Sequence, residues 1–366
     1  MRSDRAAAAA GAIVLPLLAL LLLAAVVAAL LAALLRLAGY DAATALGALW
    51  TGSVGSTYAL TSATLVRATP LVLAGLAVAL AFRAGVWNIG AEGQLMMGAA
   101  AAAAAALAWA PALGHLAWLA ALAAGAGAGA LWAGIAAVLR RRFGVLEVIS
   151  TIMLNFLALH ALSYLVRGPL QEPFRINPQT SSIAQVARLP RLLPWIPGAR
   201  VSWGWVIAVA AAVALWWTMR ATAAGFRVRL AGANPSAARV SGRVDVDRVT
   251  TRAFLASGAL AGLAGAVEVT GVTYALYENI SPGYGYTAIA VALLARLDFL
   301  GIVATGIFFG ALESGALAMQ RDAGVPAVIV SVIEAGLILL ALAAGLWRGS
   351  VGIRRVASPV IAGGGP

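Results

Sequence analysis

Apolar runs of membrane-crossing length fill most of the chain, and the polar residues fall in the gaps between them. Runs at 6–35, 68–82, 86–109, 116–139, 145–166, 201–219, 253–272, 284–296, 300–319 and 326–347 predict about ten helices, because a bilayer crossing takes about 20 apolar residues. The fold class read from this pattern is all-α, a polytopic membrane protein forming a single transmembrane domain over residues 1–366. The run from Ala6 to about Leu35 is too long for the apolar part of a signal peptide and reads as an uncleaved first helix. The runs at 68–82 and 284–296 are short for a full crossing, and such interrupted segments point to a transport site. The less apolar stretch from Gly39 to Tyr58 reads as an interfacial amphipathic segment.

The sharpest interruption is FRAGVWNIGAEGQ, from Phe82 to Gln94. Arg83, Asn88, Glu92 and Gln94 alternate there with Gly85, Gly90 and Gly93, between apolar flanks. Polar groups and broken helices persist at membrane depth only when buried in protein or lining a watery cavity. Something polar is therefore expected to be handled inside the bilayer.

Composition narrows the chemistry. Hydrophobic residues make up 63% and charged residues 10%, with mean hydropathy +0.95; soluble domains carry about 25% charged residues. There is no cysteine, which removes disulfides, thiolate-bound zinc and iron–sulfur clusters. His115 and His160 are too few for most transition-metal centres, so no metal site and no catalytic residue are expected. All 25 basic residues are arginine. Without lysine a standard P-loop is excluded, so any ATP-driven work falls to a partner. The net charge of +12 is explained by helix-end arginines acting as topology signals rather than by nucleic-acid binding. With both termini cytoplasmic, 17 of the 25 arginines lie inside, as the positive-inside rule favours. The loop 167–200, rich in proline, is then an ordered extracytoplasmic connection.

The cytoplasmic loop 220–252 contains GANPSAAR from Gly232 to Arg239, in which Asn234 can cap a helix and Pro235 can open it. A short basic helix there could dock on a cytosolic partner or simply be a solvated loop. Gly125, Gly127 and Gly129 are expected to let helices approach closely. Glu147 and Asn155 share a helix face, with Glu147 close to Arg140, Arg141 and Arg142. Glu268, Glu313 and Glu334 lie in apolar runs and should find partners or, alternatively, form a proton relay. Tyr274, Tyr277, Tyr284 and Tyr286 cluster near the second interruption, as base-stacking residues or as an interfacial belt.

FRAGVWNIGAEGQLMMGA, GVLEVISTIMLNFLALHALSYLVRGPLQEP, LAGANPSAARVSG and SPGYGYTAIAVALLARLDFLGIVATGIFFGALESGA resemble the permease subunits of bacterial ABC importers. The resemblance is to the nucleoside or simple-sugar group within the branched-chain amino acid and ribose permease superfamily. It implies about ten helices in two related halves, here 68–166 and 253–347, with breaks at Trp87–Gln94 and Ser281–Thr287 facing the pathway. It implies a second permease subunit, cytosolic ATP-binding subunits that hold ATP and magnesium, and a periplasmic or lipid-anchored binding protein, all at the cytoplasmic membrane. No cofactor is expected in this chain. The coupling segment would comprise Gly232, Asn234, Pro235, Ala238, Arg239 and Gly242, with Arg243 departing from the apolar residue usual after that glycine. Asn88, Glu92, Gln94, Asn155, Tyr284 and Tyr286 are the candidate pathway residues. For Glu92, capping a broken helix or binding Arg83 is the alternative. The implied cargo is a nucleoside, with a monosaccharide or branched-chain amino acid behind it; an ion-coupled secondary transporter is the other mechanism.

Overall fold

The computed structural model describes residues 31–240 and 244–326, with isolated positions at 29, 329, 332, 335, 336 and 339. Most of the expected first helix, Gly242, Arg243, Glu334 and nearly all of the expected last run lie outside the described residues. The chain forms two compact units, one of residues 1–55 with 314–366 and one of residues 56–313.

In the first unit, α1 (Ala42–Ser53) occupies the segment expected to be interfacial. Asp41 starts it by accepting from the backbone N–H groups of Ala43 and Thr44 at 3.1 and 3.3 Å. Leu31, Leu35, Ala45 and Ala48 form a small core with Ala316, Met319 and Val325.

The second unit carries the remaining elements, except that the last helix continues from Ser314 into the first unit. They are α2 (Thr57–Arg83), α3 (Ala91–Leu113), α4 (Ala117–Phe143), α5 (Glu147–Arg167) and α6 (Gly204–Ala221). Then come α7 (Ala223–Ala233), α8 (Pro235–Val240), α9 (Val246–Thr273), α10 (Tyr284–Leu294) and α11 (Phe299–Ala323). Among the described residues six helical runs are long and apolar enough to cross a membrane. One of them, Ala91–Phe143, has 53 residues, about 80 Å if straight and more than twice a hydrocarbon core of about 30 Å. A 3-10 turn at Gly114–Leu116 folds it back instead, bringing Gly125 of α4 against Gly98 of α3. Two apolar helices therefore stand where one continuous run would be counted. α10 is only 11 residues long.

Several boundaries differ from those the hydropathy pattern predicts. α2 begins at Thr57 rather than 68, because Thr57, Thr61, Ser62 and Thr64 are polar yet their segment stays helical. The run 86–109 is helical only from Ala91, and α7 was not expected within the loop 220–252. The second interruption spans 274–283, earlier than Ser281–Thr287, since Tyr284 to Thr287 already belong to α10.

α2 and α9 are the buried centre, with 83% and 72% of their apolar windows enclosed by protein; helices apolar all round belong inside a bundle. Glycine makes the crossing possible. A Cβ on Gly98, Gly129 or Gly262 would overlap backbone of the neighbouring helix, so α9 presses directly on α3 and α4. Gly125 and Gly129 serve this packing, whereas Gly127 faces open space.

The connection 168–203 is tightly bonded, although it has only two isolated bridges and one 3-10 turn of regular structure. Two π-helical turns, Leu60–Thr64 in α2 and Val269–Thr273 in α9, explain part of that order. Their widened backbone leaves carbonyls available: Val201 N–H donates to Thr61 O and Leu189 N–H to Thr270 O, both at 2.9 Å. Thr180 and Ile183 bond in turn to the carbonyls of Leu276 and Tyr274 in the second interruption.

Candidate functional site

The two interrupted passes meet at Glu92. α2 ends where Gly85 takes a left-handed φ of +76° and Val86 N–H donates back to Ala81 O at 3.0 Å. Residues 84–90 are non-helical before α3 begins. In the other pass, Gly283 has φ +100° and ends the non-helical stretch 274–283 just before α10. Glu92, in the first turn of α3, accepts through Oε2 from the backbone N–H of Gly285 in α10 at 2.6 Å. The Ser281 hydroxyl bonds the same carboxyl, while Ser281 Oγ accepts from Tyr284 N–H at 3.0 Å. Gly285 must be glycine, because a Cβ there would overlap the Glu92 backbone.

Two helix N-termini thus point at one carboxyl group. Each carries orphan N–H donors and about half a positive charge. Asn155 of α5 completes the arrangement: its Oδ1 accepts from Gly93 N–H at 2.9 Å, and its Nδ2 donates to Ile89 O at 3.0 Å and to the Tyr286 hydroxyl at 3.3 Å.

A second cluster lies beside it. Asn88 and Gln94 form two mutual bonds at 2.9 Å, and Asn88 Nδ2 also donates to Ser257 Oγ of α9 at 2.8 Å. Ser257 donates to Ala77 O of α2 at 2.6 Å. The amides therefore tie the break to α2, α3 and α9. Asn88, Glu92, Gln94, Asn155 and Tyr284 are at most 5% exposed, whereas Tyr286 is 48% exposed. Of the six candidate pathway residues, Tyr286 alone presents much surface.

Arg83 does not reach Glu92. Its Nε donates to Leu297 O at 2.7 Å, just beyond α10, and its guanidinium lies 5.1 Å from the Phe299 ring centroid. The same turn supports the helices of the loop 220–252: Gly232, near the end of α7, rests on the backbone of Arg83 and Gly85 so closely that no Cβ would fit. Asn234 caps α8 through Oδ1 to Ala237 N–H at 3.0 Å, and Pro235 opens the helix. Ala238 is buried with Ala231, Val244 and Val246, and Arg239 pairs with Asp247 at 3.0 Å.

Glu147 pairs with Arg140 at 3.3 Å and accepts weakly from Trp87 N–H at 3.4 Å, so it braces the first break. Ser150 and Thr151 bond back to Glu147 O within their own helix. Glu268 is 5% exposed, and its Oε2 has no hydrogen-bond partner; the charges of Arg67 and Arg200 act on it from nearby. Glu278, which the sequence did not single out, binds Arg167 through two bonds of 2.7 and 2.8 Å and accepts from Ser163. This joins the end of α5 to the second interruption. The arginine bonds hold its carboxyl at about 2, below the ordinary 4.5. Tyr274 has φ +57° and lies under Arg188, 4.5 Å from ring centroid to guanidinium. No three His, Cys, Asp or Glu among the described residues converge as a metal site would require.

Residues 60–342 match the family described as branched-chain amino acid transport system / permease component, and the chain belongs to that family. It is 39% identical over 307 residues to the glucose ABC transporter permease protein TsgB13 of Haloferax volcanii, covering 82% of this chain and 80% of that protein. It is 37% identical over 312 residues to the guanosine ABC transporter permease protein NupP of Bacillus subtilis, covering 84% and 88%. NupQ of the same organism, also a guanosine ABC transporter permease protein, is 29% identical over 69% of this chain and 80% of its own length. These relatives are transporter permeases, not enzymes. No solved structure matches the chain.

Proposed function

We propose that this member of the permease family is the membrane subunit of an ATP-driven importer for an uncharged, hydroxyl-bearing solute, a nucleoside first and a monosaccharide second. The observation that carries the choice of cargo is the carboxyl of Glu92 at the meeting of two helix N-termini. In transporters built on broken helices, such N-termini receive an anionic group of the cargo. Here the protein fills that position with its own side chain, which disfavours an amino-acid carboxylate. Relatives named for glucose and guanosine support the same choice. Tyr286, exposed beside this junction and bonded to Asn155, is the group best placed to stack on a sugar or base face.

The work of transport comes from partners: ATP-binding subunits below, a second permease alongside and a binding protein delivering the solute. Two related guanosine permeases in one organism support a heterodimer. In the alternating-access cycle, docking of the ATPase moves α7 and α8. Gly232 passes that movement to the Arg83–Gly85 turn, and the Arg83 bond to Leu297 carries it to α10. One cytoplasmic contact therefore acts on both interrupted passes in the cytoplasmic membrane, with both termini inside.

The experiment is uptake into proteoliposomes holding the complete complex, with wild type beside Gly232→Ala and beside a Gly/Ser replacement of Asn234–Arg239. Wild type should take up nucleoside or sugar and ignore leucine, and both variants should hydrolyse ATP with little uptake. Leucine uptake at the nucleoside rate would overturn the cargo, and full uptake by both variants would overturn the route.

A further inference from the structure

The Arg-rich end of the seam between α4 and α9 holds a pocket of about 230 Å³, away from the Glu92 junction. Arg140 and Arg141 of α4, Arg239 of α8, and Asp247 and Thr251 of α9 line it. Three guanidiniums face one carboxylate, so the pocket carries excess positive charge. Arg239 is bonded to Asp247 at 3.0 Å and Arg140 is drawn towards Glu147 at 3.3 Å. Arg141 pairs with no carboxylate among the described residues and is exposed.

The same seam continues as a shallow apolar groove of about 740 Å³, lined by Leu131, Gly134, Ile135 and Val138 of α4 and Leu255 of α9. Thr251 of the pocket and Leu255 of the groove lie one turn apart on α9, as do Arg141 and Val138 on α4. Leu131 and Val138 are 76% and 54% exposed. From Leu131 to Arg141 α4 rises about 15 Å, which is the depth of one leaflet's hydrocarbon layer. A phosphodiester suits paired arginines through bidentate bonds, and basic pockets between membrane helices recruit anionic headgroups.

We infer that this seam binds an anionic phospholipid, its headgroup phosphate against Arg141, Arg140 and Arg239 and an acyl chain along the Leu131–Val138 groove. Because Arg239 lies on α8, the lipid ties that helix to the membrane surface. The charge excess names the headgroup, and the length of the groove names a lipid rather than a soluble anion.

The delipidated protein is titrated with phosphatidylglycerol or phosphatidylcholine and read by native mass spectrometry, for wild type, Arg141→Gln and Gly134→Leu. Wild type should retain phosphatidylglycerol at least about fivefold over phosphatidylcholine, at the order expected for charge-assisted pairing. Arg141→Gln should bring that ratio near one, and Gly134→Leu should lower retention of both lipids. Elution as a monodisperse peak confirms that each variant is folded. Three results would overturn the inference: an unchanged ratio in Arg141→Gln, displacement of the lipid by equimolar inorganic phosphate, or loss of the lipid when the ATPase subunit binds. The second result marks a free-anion site, and the third assigns the pocket to the partner.

Discussion

Removing the Glu92 carboxyl should loosen the junction of the two interrupted passes. In Glu92→Ala the Gly285 N–H and the Ser281 hydroxyl both lose their acceptor in a buried setting. Each such loss costs about 1–3 kcal/mol, and the void left by the side chain adds about 1 kcal/mol. The first turn of α3 also loses a carboxyl, worth about 0.3–1 kcal/mol. The expected total is about 3–8 kcal/mol on these same scales. Glu92→Gln keeps one acceptor oxygen, so it should cost about 1–2 kcal/mol. The assay is thermal unfolding of the purified complex, read beside uptake kinetics. The apparent Tm should fall in the order wild type, Gln, Ala. Glu92→Gln should lower the maximal rate more than it raises KM, because the group holds helices rather than cargo. If Glu92→Ala melts with wild type while KM rises tenfold, the carboxyl serves the cargo and the framework reading fails.

Other outcomes follow from the same contacts. Gly262→Val should prevent α9 from seating on Gly125 and Gly129, and membrane-inserted but unassembled protein is the expected product; normal yield of folded complex would refute the seam. Acid should release the Glu278 clamp. Its folded pKa, about 2, lies below the ordinary 4.5, so the clamp contributes fully above that ordinary value and is lost as pH falls from about 4.5 towards 2. Protection of the Leu276 and Thr180 amides, taken against the intrinsic exchange rate at each pH, should therefore fall across that window in wild type, and Glu278→Gln should show low protection at both ends. Tyr286→Ala should raise KM for nucleoside with little change in Tm, whereas Asn155→Leu should lower Tm by leaving Gly93 N–H and Ile89 O unpaired. Equal Tm losses in both would place Tyr286 in the framework instead.

Much of the fold is legible in the sequence because lipid leaves few options. A run such as 145–166 must be a helix to satisfy its own backbone, and Glu147–Arg167 is one. The capping grammar of Asn234-Pro235 is equally local, and α8 begins there. What hydropathy misjudges is polar sequence that stays helical. Thr61, Ser62 and Thr64 lower the apolar score, yet the first two return their hydroxyls to carbonyls, Thr57 O and Gly198 O. The start of α2 is hidden for that reason. The helix α7 is hidden because arginines on a loop between spans look the same in a coil as in a helix.

The site shows where local reading ends. Polar residues at 88, 92 and 94 announce that a buried polar centre exists, because each would be costly if left unpaired. They do not announce their partners, which lie far along the chain: Ser257 for Asn88, Gly285 for Glu92, and Gly93 from the side of Asn155. Gly285 looks like an ordinary helix glycine until α3 is placed against it, and Glu278 looks like a loop acid until Arg167 arrives. The same closure bears on transport. A junction in which the carboxyl of Glu92 and the amides of Asn88, Gln94 and Asn155 are already bonded to protein offers these groups to the proposed cargo only after opening. On the proposed reading, opening the Glu92–Gly285 bond frees the N-terminus of α10 beside the exposed Tyr286, so binding and conformational change draw on the same few bonds. A cargo that supplies its own hydroxyls and carbonyls can replace them, and an apolar solute of equal size cannot. Uptake should therefore fall steeply as ring hydroxyls are removed one at a time from a nucleoside or sugar, and a flat series would separate cargo recognition from this junction.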